Sequence, residues 1–174
     1  LTFSTRKRSV KAVMTCFRIN AQLTNGFCDG TSARKNCGIT QYQVSVGGIR
    51  IPSAPIEANT TAAATDIGEV YANQLLSLGH YDSNLRGSTA NRASYLNDTD
   101  TTAFSSAVFS VDLESYGEGI AGKNMSGQGL PLVFHCQTGA GKAQSISAVL
   151  VDLYVIHDVI FQLDGINGII SASS

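Results

Sequence analysis

Charge is scarce in this sequence. Asp, Glu, Lys and Arg make up 14% of the 174 residues, against about a quarter in an ordinary globular domain. They nearly cancel, to a net −1, so no global field draws in nucleic acid or an anionic membrane. The basic run Arg6-Lys7-Arg8 is short enough to be simply solvated. A surface this poor in charge is expected to be covered by partners. Tryptophan is absent, which removes the Trp-Pro-Asp acid loop of tyrosine phosphatases and the aromatic platform of a sugar-binding sandwich. Long apolar runs are missing too. The most hydrophobic window, Ile146–Leu163, is broken by Asp152, His157 and Asp158, so no membrane span is expected. No signal-peptide pattern opens the chain, which starts at Leu1; the expectation is a processed product or one piece of a longer polypeptide. The cysteines, at 16, 28, 37 and 136, form no CxxC pair and no zinc-like spacing with the three histidines. Without a secretory leader they are expected to be reduced, packed thiols. The sequons at Asn59, Asn97 and Asn124 then carry no weight.

What is present is short apolar runs separated by stretches rich in Gly, Ser, Thr and Asn. The length suits one domain. Ser9–Ile19 (SVKAVMTCFRI) alternates, with Val10, Ala12, Met14 and Cys16 on one face, and predicts a strand. Gln41–Ile51 (QYQVSVGGIRI) alternates Tyr42, Val44 and Val46 against Gln41, Gln43 and Ser45. It reads as one strand with a bulge at Gly47-Gly48, ended by Pro52 and Pro55. Asp66–Leu78 differs: Ile67, Val70, Tyr71, Leu75 and Leu78 recur at helical spacing before Gly79. Asn84–Thr102 reads as a long polar loop. Ser106–Leu113 (SAVFSVDL) alternates as a half-buried strand would, and Leu130–Cys136 is a further strand. The run up to Leu163 fits both periods, but β-branched residues favour strand. Asp164-Gly165 and Asn167-Gly168 are hairpin-type turns leading to a last strand, Ile169–Ala172. The fold class is therefore all-β, an antiparallel β-sandwich with one short helix at about residues 66–78. The βαβ alternation of a nucleotide-binding or phosphatase fold is missing.

One stretch carries the outline of chemistry: Phe134–Ser145, FHCQTGAGKAQS. A cysteine phosphatase would use Cys136 as its nucleophile, with the thiolate stabilised by loop amides and a helix N-terminus. The sixth residue on should be an arginine that forks onto phosphate, but Lys142 stands there, and lysine lacks the bidentate grip. Ala143 replaces the usual hydroxyl residue. A phosphate-binding P-loop would need glycine at 136 and a hydroxyl at 143. Cys136 with Lys142 is thus the alternative reading. The main reading makes Gln137–Gln144 a polar turn and Cys136 a core thiol. His80 suits the helix end, while His135 and His157 read as sheet histidines. Asp112 and Glu114 read as a solvated carboxylate pair. No cofactor or metal site is expected.

Five segments carry a resemblance: SVKAVMTCFR (Ser9–Arg18), QYQVSVGGIRIPSAPIEA (Gln41–Ala58), EVYANQLLSLGHY (Glu69–Tyr81), FSVDLESYGEGIAGKNMSGQGLPLVF (Phe109–Phe134) and VDLYVIHDVIFQLDGINGIIS (Val151–Ser171). In order and spacing they resemble the C-terminal jelly roll of the double jelly-roll major capsid proteins of large DNA viruses, the lineage of adenovirus hexons and of virophage and giant-virus capsids. The resemblance implies one jelly-roll domain over residues 1–174, the C-terminal half of a longer double jelly-roll chain or a single jelly-roll relative. It implies a structural, non-enzymatic virion protein, assembled inside the host cell into homotrimeric capsomers. Its implied partners are its own copies, neighbouring capsomers and minor capsid proteins.

Overall fold

A computed structural model describes residues 1–19, 34–58, 67–77, 107–114, 122–126, 131–139, 149–164 and 169–173. Ten strands and one helix occur among them: β1 (Thr2–Phe3), β2 (Val10–Ile19), β3 (Arg34–Lys35), β4 (Ile39–Val46), β5 (Ile49–Glu57), α1 (Gly68–Ser77), β6 (Phe109–Asp112), β7 (Leu132–Thr138), β8 (Val149–His157), β9 (Ile160–Asp164) and β10 (Ile169–Ser173). Every strand pairing is antiparallel. One sheet has the order β1-β7-β4-β5. The other is built on β2, which pairs with β3 and β6 and also with β8. β9 and β10 form a two-stranded hairpin. Its register sets Ile169 opposite Asp164, and residues 165–168, which include most of the two turn dipeptides, lie outside the described set.

The two larger sheets meet through aromatic rings. Phe17 on β2 packs against Phe109 on β6 and Phe134 on β7 at centroid distances of 5.8 and 6.1 Å. Tyr42 on β4 completes the cluster at 5.3 Å from Phe109 and 5.7 Å from Phe134. Such edge-on and offset contacts are the arrangements that aromatic quadrupoles favour. Val10, Val13, Ile39, Val44, Val46, Ile56 and Leu132 close the core around them. The Tyr42 hydroxyl donates to the Ser110 carbonyl at 2.9 Å, so this ring gains burial without leaving its polar tip unpaired.

Several details depart from the simple alternation. In β2 the register against β8 shifts between Val10 and Ala12, and such a bulge moves the side-chain phase by one. Val10 therefore joins Val13 and Phe17 in the main core, while Met14 and Cys16 pack with Val108 in a separate cluster. Gln41–Ile51 is not one strand. Gly47 and Gly48, at φ 57° and 85°, form the two-residue turn of a tight hairpin joining β4 to β5, which needs both residues left-handed. Pairing does stop at Ile51, just before Pro52, but it resumes at Ile56; both prolines lie inside β5, at the sheet edge, where a missing N–H is tolerated. In β6 both faces are buried, Ser110 as fully as Phe109, because α1 packs against this strand.

The helix forms where its spacing predicts. Its buried line, however, runs through Ile67, Val70, Gln74 and Ser77, with Tyr71 packed beside the core and Leu75 half-buried. Asp66, Leu78, His80 and the Asn84–Thr102 segment lie outside the described residues. Beyond residue 149 the ambiguous run is strand rather than helix. Among the described residues, no helix is long and apolar enough to cross a membrane.

Candidate functional site

Cys136 sits in β7 opposite Tyr42, half-buried and packed against the core. Burial pushes its thiol above the ordinary value, only partly offset by the positive charge at the chain's N-terminus. Cys16 is shifted up for the same leading reason. An activated nucleophile needs the opposite shift, because the thiolate is the reacting form. Lys142, its companion in the alternative reading, lies outside the described residues. Cys16, Cys37 and Cys136 are free thiols, as expected; Cys28 is not among the described residues.

The titratable residues are tied into the frame. The Ser45 hydroxyl and His135 Nε2 are 2.9 Å apart, and His157 Nδ1 lies 3.1 Å from the Asp158 carbonyl oxygen. Asp112 and Glu114 do not form a solvated pair. An Asp112 carboxylate oxygen accepts from the Glu114 amide at 2.9 Å, and Glu114 pairs with Lys11 at 2.9 Å. Lys11 reaches Asp158 as well, at 3.2 Å, so one ammonium joins the strand β2 to the ends of β6 and β8. Its pKa rises, first through the hydrogen bond to Glu114 and then through that to Asp158. Asp158 is held below the carboxylate range, first by the Ser9 hydroxyl at 2.8 Å and then by Lys11. Among the described residues, no group of three or more His, Cys, Asp or Glu could hold a metal ion.

Two surfaces remain after this accounting. The first lies on the outer face of the β1-β7-β4-β5 sheet. There Gln41 stands opposite Gln137, and Gln43 opposite His135. The Gln41 amide donates to the Gln137 side-chain oxygen. Opposite β7, the strand β5 bulges between Ile51 and Ile56, and the Gln43 amide nitrogen donates to the Pro52 and Ser53 carbonyl oxygens there. The bulge and β7 bound a concavity of about 150 Å³, open to solvent, lined by Gln41, Tyr42, Gln43, Arg50, Pro55, His135, Cys136 and Gln137.

The second surface is on β8. Leu150, Tyr154 and Ile156 are 38%, 56% and 36% exposed, with Val159 just beyond at 41%. Even-numbered residues of one strand share a face, so three of these form an apolar stripe. Asp152 between them is occupied by Arg18, whose Nη2 donates to it at 2.7 Å.

Two of the concavity's polar residues, Gln41 and Gln43, were in view as part of the polar half of an alternating strand. What the pattern did not carry was register: nothing local places Gln137 and His135 beside them. The β8 stripe was hidden because its residues fit helical and strand periods alike. No family model, curated protein or solved structure matches the chain, so function rests on these residues and their geometry.

Proposed function

We propose that this chain is a structural shell protein, a jelly-roll-type sandwich that works by self-association and not by catalysis. The observation that carries the reading is the exposed apolar stripe Leu150-Tyr154-Ile156, on a surface with few charges. Large apolar side chains exposed along one strand face, here on both sides of the Arg18–Asp152 pair, mark an interaction surface more often than bare solvent contact. Strand order supports it: β7 lies between β1 and β4, while β2 lies between β8 and β6. Distant segments are interleaved in both sheets, as a jelly roll requires. The resemblance of the five segments to double jelly-roll capsid proteins supplies the specific form: homotrimeric capsomers, contacting neighbouring capsomers and minor capsid proteins in a virion.

Light scattering on the purified protein, with negative-stain microscopy, tests this. Trimers or larger closed assemblies are expected. A monomer at all concentrations, also in the presence of any further domain of the parent polypeptide, defeats the proposal.

A further inference from the structure

The concavity beside the β5 bulge belongs to no part of the assembly argument. Its lining is chemically one-sided. It holds a guanidinium (Arg50), an imidazole (His135) and the amides of Gln41, Gln43 and Gln137, and no carboxylate. Among the described residues, Arg50 has no carboxylate partner. The amides are held in place by their own contacts. Gln41 donates to Gln137, which leaves the Gln41 carbonyl oxygen and the Gln137 amide nitrogen for a ligand. Gln43 spends its nitrogen on Pro52 and Ser53, and among the described residues nothing donates to its oxygen. His135 is oriented by Ser45 through Nε2, so Nδ1 is the ring atom left to meet a ligand.

This inventory defines a ligand. One exposed cation without a competing anion in the lining suits a single carboxylate, which guanidinium grips in bidentate fashion. A mixture of fixed donors and acceptors suits hydroxyl groups, which need both. The volume, about 150 Å³, is below the roughly 300–1,000 Å³ of drug-sized ligand sites and suits no more than a single six-membered ring. The Tyr42 hydroxyl is engaged across the core with Ser110, so no aromatic face is offered and stacking contributes nothing. We infer that this concavity binds an acidic monosaccharide unit, through its carboxylate at Arg50 and its hydroxyls at Gln41, Gln43, His135 and Gln137.

The test is titration of the whole chain with D-glucuronate, its methyl glycoside, D-glucose and acetate, followed by calorimetry and by the His135 ring resonances. Glucuronate should bind, perturb His135, and bind at least about tenfold more tightly than glucose or acetate. Binding of the glycoside as well supports a sugar unit within a glycan; binding of the free acid alone supports a free sugar acid. Arg50→Gln should weaken glucuronate about tenfold, with Arg50→Lys in between. Gln137→Leu, unchanged in circular dichroism, should weaken it several-fold. Absence of binding, acetate or glucose binding as tightly, or Arg50 variants with wild-type affinity each overturn the inference. The outcome does not depend on whether the chain assembles.

Discussion

Tyr42 shows how a single side chain can couple two sheets. It buries a ring between Phe109 and Phe134 and hands its hydroxyl proton to a carbonyl of the opposite sheet. Tyr42→Phe keeps the ring and removes the donor, so chemical denaturation should show a loss of about 1–2 kcal/mol. Phe17→Ala removes a fully buried ring that touches two partners and should cost about 3–5 kcal/mol in the same measurement. Cys136 gives a test of a different kind. Burial raises its pKa, so iodoacetamide at neutral pH should modify it more slowly than a free cysteine. Reaction faster than free cysteine would reveal an activated thiol and revive the phosphatase reading. His135 and His157 were legible as sheet residues from sequence. The role of Glu114 was not, because its partner Lys11 lies about a hundred residues away in the chain and beside it only through the pairing of β2 with β6.

Among the elements, the β4–β5 hairpin hangs on two left-handed glycines. A Cβ on Gly48 would meet no atom within 4 Å, so any cost of Gly48→Ala is backbone conformation alone, about 1–2 kcal/mol. Gly47→Asn should be nearly neutral, since Asn tolerates the same region. Thermal melts of the two variants separate these outcomes; equal losses would contradict the turn assignment. The Lys11–Glu114–Asp158 junction gives a pH signature. Asp158 has a lowered pKa in the folded chain. Its contribution is thus present above the ordinary value of 3.8 and is lost as pH falls through the lowered one. The stability gap between wild type and Asp158→Asn should therefore narrow as pH falls below about 4; a gap that widens there would contradict it. Lys11 acts in the opposite sense: its pKa is raised, so its contribution is present below 10.5 and lost as pH rises through the raised value.

At the scale of the whole molecule, the predominance of antiparallel strands and the position of the helix Gly68–Ser77 among the described residues were legible, because period two and period 3.6 are local properties. Bulges, register and the sharing of strands between sheets were not, since each is decided by contacts between distant segments. The Val10/Ala12 shift turned a predicted apolar face into two, and the Gly-Gly turn made two strands of one. Assembly belongs to this scale as well. Tyr154→Lys and Ile156→Lys place charge on the exposed stripe, where monomer stability should change by less than about 0.5 kcal/mol. Oligomer mass should nevertheless fall in light scattering. Unchanged mass in both variants would move the interface elsewhere.

The pairing of β2 with β8 also sets a schedule. Arg18 and Asp152, bonded across it, are 134 residues apart, and at about 5–20 residues per second a ribosome takes some seconds to half a minute to deliver the second after the first. During that interval β2 waits with one edge unpaired and a strand's worth of Val, Met and Phe without its neighbour, a template on which another nascent copy could pair just as well. The chain thus meets its risk of mispairing before it is finished, and slower synthesis at low temperature should lower soluble yield unless a chaperone covers β2.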